Sequence, residues 1–301
     1  MHFRKLDLNL LVALDALIRL QSVSLAAEEL HLSQSAMSHS LSRLRAYFND
    51  DILMKVGRNM MLTALAEQLE HPIRDILIRI DASIMMKPGF DPALSDREFR
   101  ICVSDYILNT LIPYVLEVAS EQGSKVKMNF LPQVSDPKKE LDRGSADLLI
   151  VPDVFCSEDQ PSETLLTDEF ACIVWNQNPL AQQGLTRESF LVSSHVCMQP
   201  PHSDLSFEGY CFEKMGIKRQ VEVLTYSFSS IPNLIEGTNR IATVQKKLIK
   251  KAISQGAELT SLAAPVELPA LQESMQWSRY QNTDLGMIWL RELMREAARR
   301  L

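Results

Sequence analysis

Apolar positions in the first 64 residues recur at helical spacing, and that stretch has no proline and a single glycine, Gly57. Leu10, Leu11, Leu14, Leu17 and Ile18 fall on one face of a first helix. Ser24 to Leu30 predicts a second, short helix in which Ala26 and Ala27 permit close packing. His31-Leu32-Ser33 is a tight connection, and Ser33 suits the N-cap of a third helix from Gln34 to Phe48. Leu32, Ala36, Leu41 and Leu44 are expected to face the core. Asp51 to Leu62 reads as a β-hairpin turning at Gly57. Thr63 then caps a long helix in which Leu69, Ile73, Ile76 and Ile80 follow a 4-3-4 spacing, a short coiled-coil seam. Pro72 lies inside it and is expected to kink it or to leave one carbonyl unpaired. The helix stops at the breaker cluster from Lys87 to Pro92.

From about residue 93 the pattern changes. Phe99, Ile101 and Val103 alternate as a strand, as do Val126, Met128 and Phe130. Leu148–Val151, Phe170–Trp175, His195–Met198, Val221–Tyr226 and Arg240–Val244 are further strand candidates. Ile107–Ser120, Pro137–Arg143, Phe207–Met215, Ser229–Glu236, Lys246–Ile253 and Asp284–Arg300 read as helices. Helices interleaved with strands predict an α/β domain with mostly parallel sheets.

The length of 301 residues suits two domains. No apolar run approaches the ~18 residues of a membrane helix, and Met1 to Asp7 lacks the pattern of a secretory signal, so a cytoplasmic location is expected. Five cysteines, with no C-x-x-C pair, suit reduced and mostly buried thiols. The net charge of −7 argues at first against nucleic acid. It is unevenly spread: residues 1–64 carry +1 and the remainder −8. The acidity belongs to the second half.

Ser24 to Arg45 carries the most specific chemistry. Two helices joined by a short turn place the early residues of the second helix for the major groove of DNA. Ser33, Gln34, Ser35, Ser38 and His39 would present there. Gln pairs bidentately with adenine, Ser suits several base edges or a phosphate, and His39 can donate to a guanine. Arg43 and Arg45 fall later, where the phosphate backbone is reached. In the hairpin, Lys55 suits a phosphate and Arg58 a minor groove or a phosphate. The plain alternative is a helical hairpin packed for stability, with a merely solvated polar face.

The chain resembles the LysR-type transcriptional regulators. The resemblance rests on Leu6 to Leu11, Ala26 to Ser38, Leu44, Gly57-Arg58 and Leu62-Thr63, and continues more loosely through Gly144 to Ile150. The opening residues and Phe90-Asp91-Pro92 are most similar to the branch of nodulation regulators and of regulators of naphthalene, salicylate or chlorinated-aromatic catabolism. Ser35, Ala64 and Gln245 stand where that family often has proline. The resemblance implies a winged helix-turn-helix domain (1–64), a dimerising linker helix and hinge (65–92), and an effector-binding domain (93–301) similar to periplasmic binding proteins. Subdomain I would span about 93–165 and 272–301, and subdomain II about 166–271. It further implies a palindromic double-stranded DNA site, a small-molecule effector, a dimer of dimers and contact with RNA polymerase, typically as an activator.

Effector ligands in such sheets sit beyond the carboxyl ends of strands. Ser104, at the end of the first strand and before Asp105 and Tyr106, is placed for a carboxylate or phenol oxygen, while Asp105 serves equally well as a plain helix cap. The resemblance adds Thr110, Glu169, Leu205, Phe207, Phe228 and Met275 by position. Ordinary core packing accounts as well for Phe207, Phe228 and Met275. An unpaired Glu169 would repel an anion, which favours a phenolic or neutral aromatic effector. No nucleophile elbow, P-loop or G-x-G-x-x-G is present, so no enzyme and no cofactor is expected. His195 reads as a satisfied strand histidine, and the spacing around it does not suit a metal. Cys197 and Cys211, with Lys214 one turn from Cys211, could be read as a redox pair, but buried thiols fit better. The rival reading is a small-molecule binding protein or enzyme whose helical domain only oligomerises.

Overall fold

A computed structural model describes residues 6–56, 59–84, 89–133, 137–142, 144–200 and 206–301. The chain divides into two compact units, one of Met1–Lys87 with Asp142–Gly144 and the other of Pro88–Leu141 with Ser145–Leu301.

The first unit contains α1 (Asn9–Leu20), α2 (Val23–Glu29), α3 (Gln34–Phe48), β1 (Leu53–Val56), β2 (Asn59–Leu62) and α4 (Ala64–Ile84). The expected apolar face of α1 is fully buried. Helix α2 starts one residue earlier than expected because Ser22 caps it, its hydroxyl accepting the Leu25 N–H at 3.3 Å. Ser33 caps α3 by accepting the Ala36 N–H at 3.2 Å. The turn between them passes through His31 at φ 53°. Leu32 does not reach the core; it is 44% exposed and Ala36 is half-buried. Leu32 precedes the cap and so falls outside the helical period, which instead buries Met37 with Leu41 and Leu44.

Strands β1 and β2 pair antiparallel, Leu53 opposite Leu62 and Val56 opposite Asn59. The predicted turn at Gly57 and Arg58 lies outside the described residues. The hairpin is entered through Ile52 at φ 60°, a costly conformation for a β-branched residue. One carboxylate holds it there. Asp50 Oδ1 accepts the Ile52 N–H at 2.7 Å and the Thr63 hydroxyl at 2.6 Å. Thr63 Oγ1 in turn caps α4, accepting the Ala66 N–H at 3.1 Å.

The expected seam on α4 is divided. Ile73 is buried in the first unit's own core, with Leu69 and Leu77 packed against it, whereas Ile76 is 42% exposed. Ala66, Leu69, Ile73 and Leu77 form the stripe that packs on α1, because their 3-4-4 spacing follows the 3.6-residue turn. Arg74 on α4 ion-pairs Asp15 on α1. Burial pushes the Asp15 carboxyl above its ordinary range, against the pull of the Arg74 guanidinium. The helix runs on through Pro72, whose missing N–H leaves the Gln68 carbonyl without its helical partner.

The second unit holds two five-stranded sheets. Its elements are β3 (Glu98–Val103), α5 (Asp105–Thr110), α6 (Ile112–Glu121), β4 (Lys127–Pro132), α7 (Pro137–Asp142), β5 (Leu148–Pro152), β6 (Ser162–Asp168), β7 (Phe170–Trp175), α8 (Leu180–Gln183), α9 (Arg187–Val192), β8 (Ser194–Met198), α10 (Phe207–Lys214), β9 (Gln220–Thr225), α11 (Ile231–Ile235), β10 (Ile241–Gln245), α12 (Lys246–Ser254), β11 (Leu259–Leu262), β12 (Leu271–Trp277) and α13 (Leu285–Arg300). The first sheet runs β4-β3-β5-β12-β6 and the second β11-β7-β10-β8-β9. The chain passes from one to the other at Asp168-Glu169 and returns before Leu271. One apolar cluster extends from α6 and α13 on the first sheet to α11 and α12 on the second.

The sheets are mixed rather than mostly parallel. β12 is antiparallel to β5 and β6, and β7 is antiparallel to β10 and β11. Part of the discrepancy arises from β6, β11 and β12, which sequence patterning did not mark; the rest from β7 and β10, which were marked but pair antiparallel. β12 buries Glu273, Ser274 and Gln276 beside Met275 and Trp277, so apolar alternation is lost. The single helix expected from Ile107 to Ser120 is two, α5 and α6. Pro113 cannot donate to the Asn109 carbonyl, and that carbonyl accepts from Lys251 Nζ instead.

Candidate functional site

In the first unit the early turns of α3 present an open polar face. Gln34, Ser35, Ser38 and His39 are all exposed. Ser33 is exposed too, but its hydroxyl caps the helix and lies 3.0 Å from Ser35 Oγ. Gln34 and Ser38, like Ser35 and His39, are four residues apart and share a stripe. Arg43 is exposed and makes a 3.2 Å surface ion pair with Asp7, which a competing phosphate can displace at small cost. Lys55 projects from β1, and its exposed side chain has no hydrogen-bond or ion-pair partner among the described residues.

Arg45 is a correction. Its Nε donates to the Asp51 carbonyl at 2.8 Å and its Nη2 to the Leu53 carbonyl at 2.9 Å. Those bonds bind α3 to the start of the hairpin, so Arg45 positions the wing and is not a free backbone contact. Arg58 lies outside the described residues.

In the second unit most of the described residues expected around an effector are occupied by internal partners. Ser104 is buried and caps α5, accepting the Ile107 N–H at 3.2 Å, a role the sequence reading had left to Asp105. Asp105 instead reaches the second sheet's elements. Its Oδ2 accepts the Ser227 hydroxyl at 2.7 Å and the Ser229 N–H at 2.9 Å, leaving Oδ1 without a partner. Tyr106 is wholly buried and donates to Asp168 Oδ2 at 2.7 Å. Burial, then the Asp168 carboxylate, raises its phenol far above the ordinary range. Thr110 donates to the Tyr106 carbonyl at 2.7 Å. Phe207 stacks on Phe170 with ring centroids 6.0 Å apart. Phe207, Phe228 and Met275 all belong to the main apolar cluster, as core packing requires. Leu205 lies outside the described residues.

Glu169 is exposed and paired with Lys246 at 2.5 Å, and the lysine holds its carboxyl below the usual range. The condition under which Glu169 would repel an anion is therefore not met. Sequence reasoning chose Glu169 and passed over Asp168. A period of two was available as a signal, since Leu166, Asp168 and Phe170 are buried while Thr167 and Glu169 are exposed. Asp168 accepts from Tyr106, from the Lys247 N–H at 3.0 Å at the start of α12, and from the Glu169 N–H at 2.8 Å. Two further buried groups were missed. Glu273 has Oε2 unpartnered, and burial, with Asp153 nearby, pushes its carboxyl up to about 8. Gln245 has Oε1 unpartnered.

The cysteines and His195 behave as buried groups. Burial pushes the Cys197 thiol up to about 11 and raises Cys211 as well, so neither is a ready thiolate. His195 is fully buried on β8, with Nε2 2.8 Å from the Phe190 carbonyl and its pKa lowered by burial to about 4. Among the described residues no cluster of His, Cys, Asp or Glu suits a metal. Among the same residues no helix is long and apolar enough to cross a membrane.

Residues 8–67 match the family described as bacterial regulatory helix-turn-helix protein, lysR family, and residues 92–299 match the LysR substrate binding domain. The chain is 38% identical over 307 residues to nodulation protein D 2 of Rhizobium leguminosarum bv. phaseoli, covering all of this chain (100%) and 95% of that protein. It is 36% identical over 302 residues to nodulation protein D 1 of Rhizobium meliloti strain 1021, covering 100% of this chain and 98% of that one. Among solved structures, full-length OxyR from Pseudomonas aeruginosa superposes with a TM-score of 0.74 at 16% identity, covering 99% of this chain and 96% of OxyR. ArgP from Mycobacterium tuberculosis gives a TM-score of 0.68 at 14% identity, covering 98% of each chain. With both domains matched and relatives similar end to end, the chain belongs to the LysR family and is a DNA-binding transcriptional regulator.

Proposed function

We propose that this regulator reads a palindromic promoter site through α3 and answers to a small aromatic effector. The observation that carries the DNA contacts is the exposed α3 face of Gln34, Ser35, Ser38 and His39, beside Lys55 on the hairpin. Side chains with no fold-building duty are free to pair with base edges and phosphates. Ser33, Arg43 and Arg58 complete the proposed contact set. The division into a DNA-binding domain (1–64), a linker helix and hinge (65–92) and an effector domain (93–301) belongs to the same reading. So do a cytoplasmic, non-enzymatic role, pairing of protomers through α4, a dimer of dimers, activation and contact with RNA polymerase.

The effector would sit where β3–α5, the Asp168 crossover, α10 and β12 meet. Ser104, Asp105, Tyr106, Thr110, Glu169, Leu205, Phe207, Phe228 and Met275 are its proposed surroundings. The stacked Phe170–Phe207 pair supports a flat aromatic ligand, since offset stacking favours one. With Glu169 paired to Lys246, an aromatic acid fits as well as a neutral phenol.

A mobility-shift titration on the DNA upstream of the protein's own coding sequence, across a salt series, tests the reading. The expected result is a specific complex whose affinity falls steeply with salt. Absence of a complex at low salt, with and without aromatic acids and phenols, would contradict it.

A further inference from the structure

We infer that Phe90 is a positioning residue for DNA binding. Its ring is seated in a box on the second unit. That seat fixes the point at which the chain arriving from α4 joins the unit, and with it the spacing of two DNA-binding heads. The inference rests on the palindromic-site reading above. Phe90-Asp91-Pro92 follows α4 and stands at the start of the second unit.

Arg97, Phe99, Gly286 and Trp289 build the box. Phe90 is half-buried and packs against the main apolar cluster. Its ring centroid is 5.4 Å from that of Trp289 on α13 and 6.4 Å, edge on, from that of Phe99 on β3. Such aromatic pairs favour a set geometry beyond the area they bury. The walls are themselves held. Trp289 Nε1 donates to Gln122 Oε1 at 2.9 Å, and the Arg97 guanidinium lies 4.4 Å over the Phe99 ring. Arg97 Nη1 donates to Asp284 Oδ1 at 2.6 Å, the same oxygen that caps α13 by accepting the Met287 N–H at 2.7 Å. Gly286 closes the box. A Cβ there would lie 2.5 Å from Arg97 Nη1 and 3.1 Å from both Phe90 Cε2 and Phe99 Cζ, so the ring fits because this residue is glycine.

The next two residues clamp the same segment. Asp91 forms a turn, its Oδ1 accepting the Ala93 N–H at 2.9 Å and its carbonyl the Ser95 N–H at 3.0 Å. The Pro92 carbonyl accepts the Lys125 N–H at 2.8 Å, just before β4. Strand β3 carries Phe99 in the box and runs into Ser104 of the proposed effector surroundings, so the two places share one strand. Two heads that bind the halves of one site act at an effective concentration set by how firmly each is tethered. An unseated Phe90 frees the backbone of the joining segment, lowers that concentration and leaves each head's own contacts intact.

Hydrogen exchange and DNA affinity of the full-length protein, measured together, test the inference. The duplexes are the footprinted upstream site and one half of it, cut at its centre. Phe90→Ala is expected to speed exchange of the Ala93 to Arg97 amides about tenfold. It should also lower the preference for the full site over the half-site about tenfold, with half-site affinity unchanged. Gly286→Ala keeps Phe90 but crowds its seat, so it should act in the same direction, and it keeps the test open if Phe90→Ala is unstable. Leu94→Ala, in the same segment but 79% exposed, should match the wild type. A wild-type ratio of full-site to half-site affinity in both Phe90→Ala and Gly286→Ala, or an equal loss on the two duplexes, would overturn the inference alone. A wild type with no preference for the full site would overturn the palindromic-site reading and the inference with it.

Discussion

The two units use polar side chains in opposite ways. On α3 the groups proposed to act, Gln34, Ser35, Ser38 and His39, are exposed and carry little of the fold. Around β3, α5 and β12 the polar groups are buried or half-buried and hydrogen-bonded to one another, as Tyr106 is to Asp168 and Asp105 is to Ser227 and Ser229. Function and stability are therefore separable in the first unit and coupled in the second. A variant on α3 should change binding without unfolding, whereas a variant in the buried network should do both.

The largest effect is expected at Asp168. Asp168→Asn turns an amide toward the Tyr106 hydroxyl and the Lys247 N–H, leaving buried donors unmatched at a cost of about 2–3 kcal/mol. Chemical denaturation of the second unit's transition should show that loss, and a change under about 0.5 kcal/mol would mean the network is not coupled to stability.

Next is a half-buried carboxylate in the first unit that carries part of its fold. Asp50→Ala removes the acceptor for the Ile52 N–H and the Thr63 hydroxyl and releases the strained hairpin entry. A loss of about 2 kcal/mol is expected in the thermal unfolding of the first unit, with weaker DNA binding because Lys55 is no longer held. Unaltered stability would show that Ile52 is held by packing alone.

Glu273 gives a pH signature. Its folded pKa of about 8 lies above the ordinary carboxylate value, so the folded state retains a proton that the unfolded state has released. Stability should be fully present below about pH 4.5 and decline as pH rises toward 8, by up to about 1.4 kcal/mol per unit. Glu273→Gln should flatten that slope. A stability difference between wild type and Glu273→Gln that does not change between pH 5 and 8 would contradict the buried, protonated carboxyl.

The smallest effect is expected at Lys55, whose side chain is exposed and has no hydrogen-bond or ion-pair partner among the described residues. Lys55→Ala should weaken binding to all DNA sequences evenly and reduce the salt slope by about 1, with no change in unfolding. A loss confined to one sequence would assign it a base contact instead.

The same contrast explains what could be read from the sequence. α1, α3, the hairpin and α4 follow from apolar period and caps at Ser33 and Thr63, all of them local signals. Ser22 was missed because the apolar pattern placed the start of α2 at Ser24, one residue late. Arg45 looked like a phosphate contact because its carbonyl partners, Asp51 and Leu53, depend on a fold the pattern did not specify. In the second unit β12 was invisible, because Glu273, Ser274 and Gln276 are buried by partners distant in sequence. Ser104 and Tyr106 were found, but their duties were not. A cap on Ile107 and a bond to Asp168 are set by tertiary packing.

His39 is proposed to read sequence while leaving the fold untouched. The direct measurement is the affinity of His39→Ala, with the wild type, for the operator and for a scrambled duplex at matched salt. A loss of about 1–3 kcal/mol is expected on the operator, with little change on the scrambled duplex and an unfolding midpoint like that of the wild type. Equal affinities of variant and wild type on both duplexes would show that α3 does not present His39 to the bases.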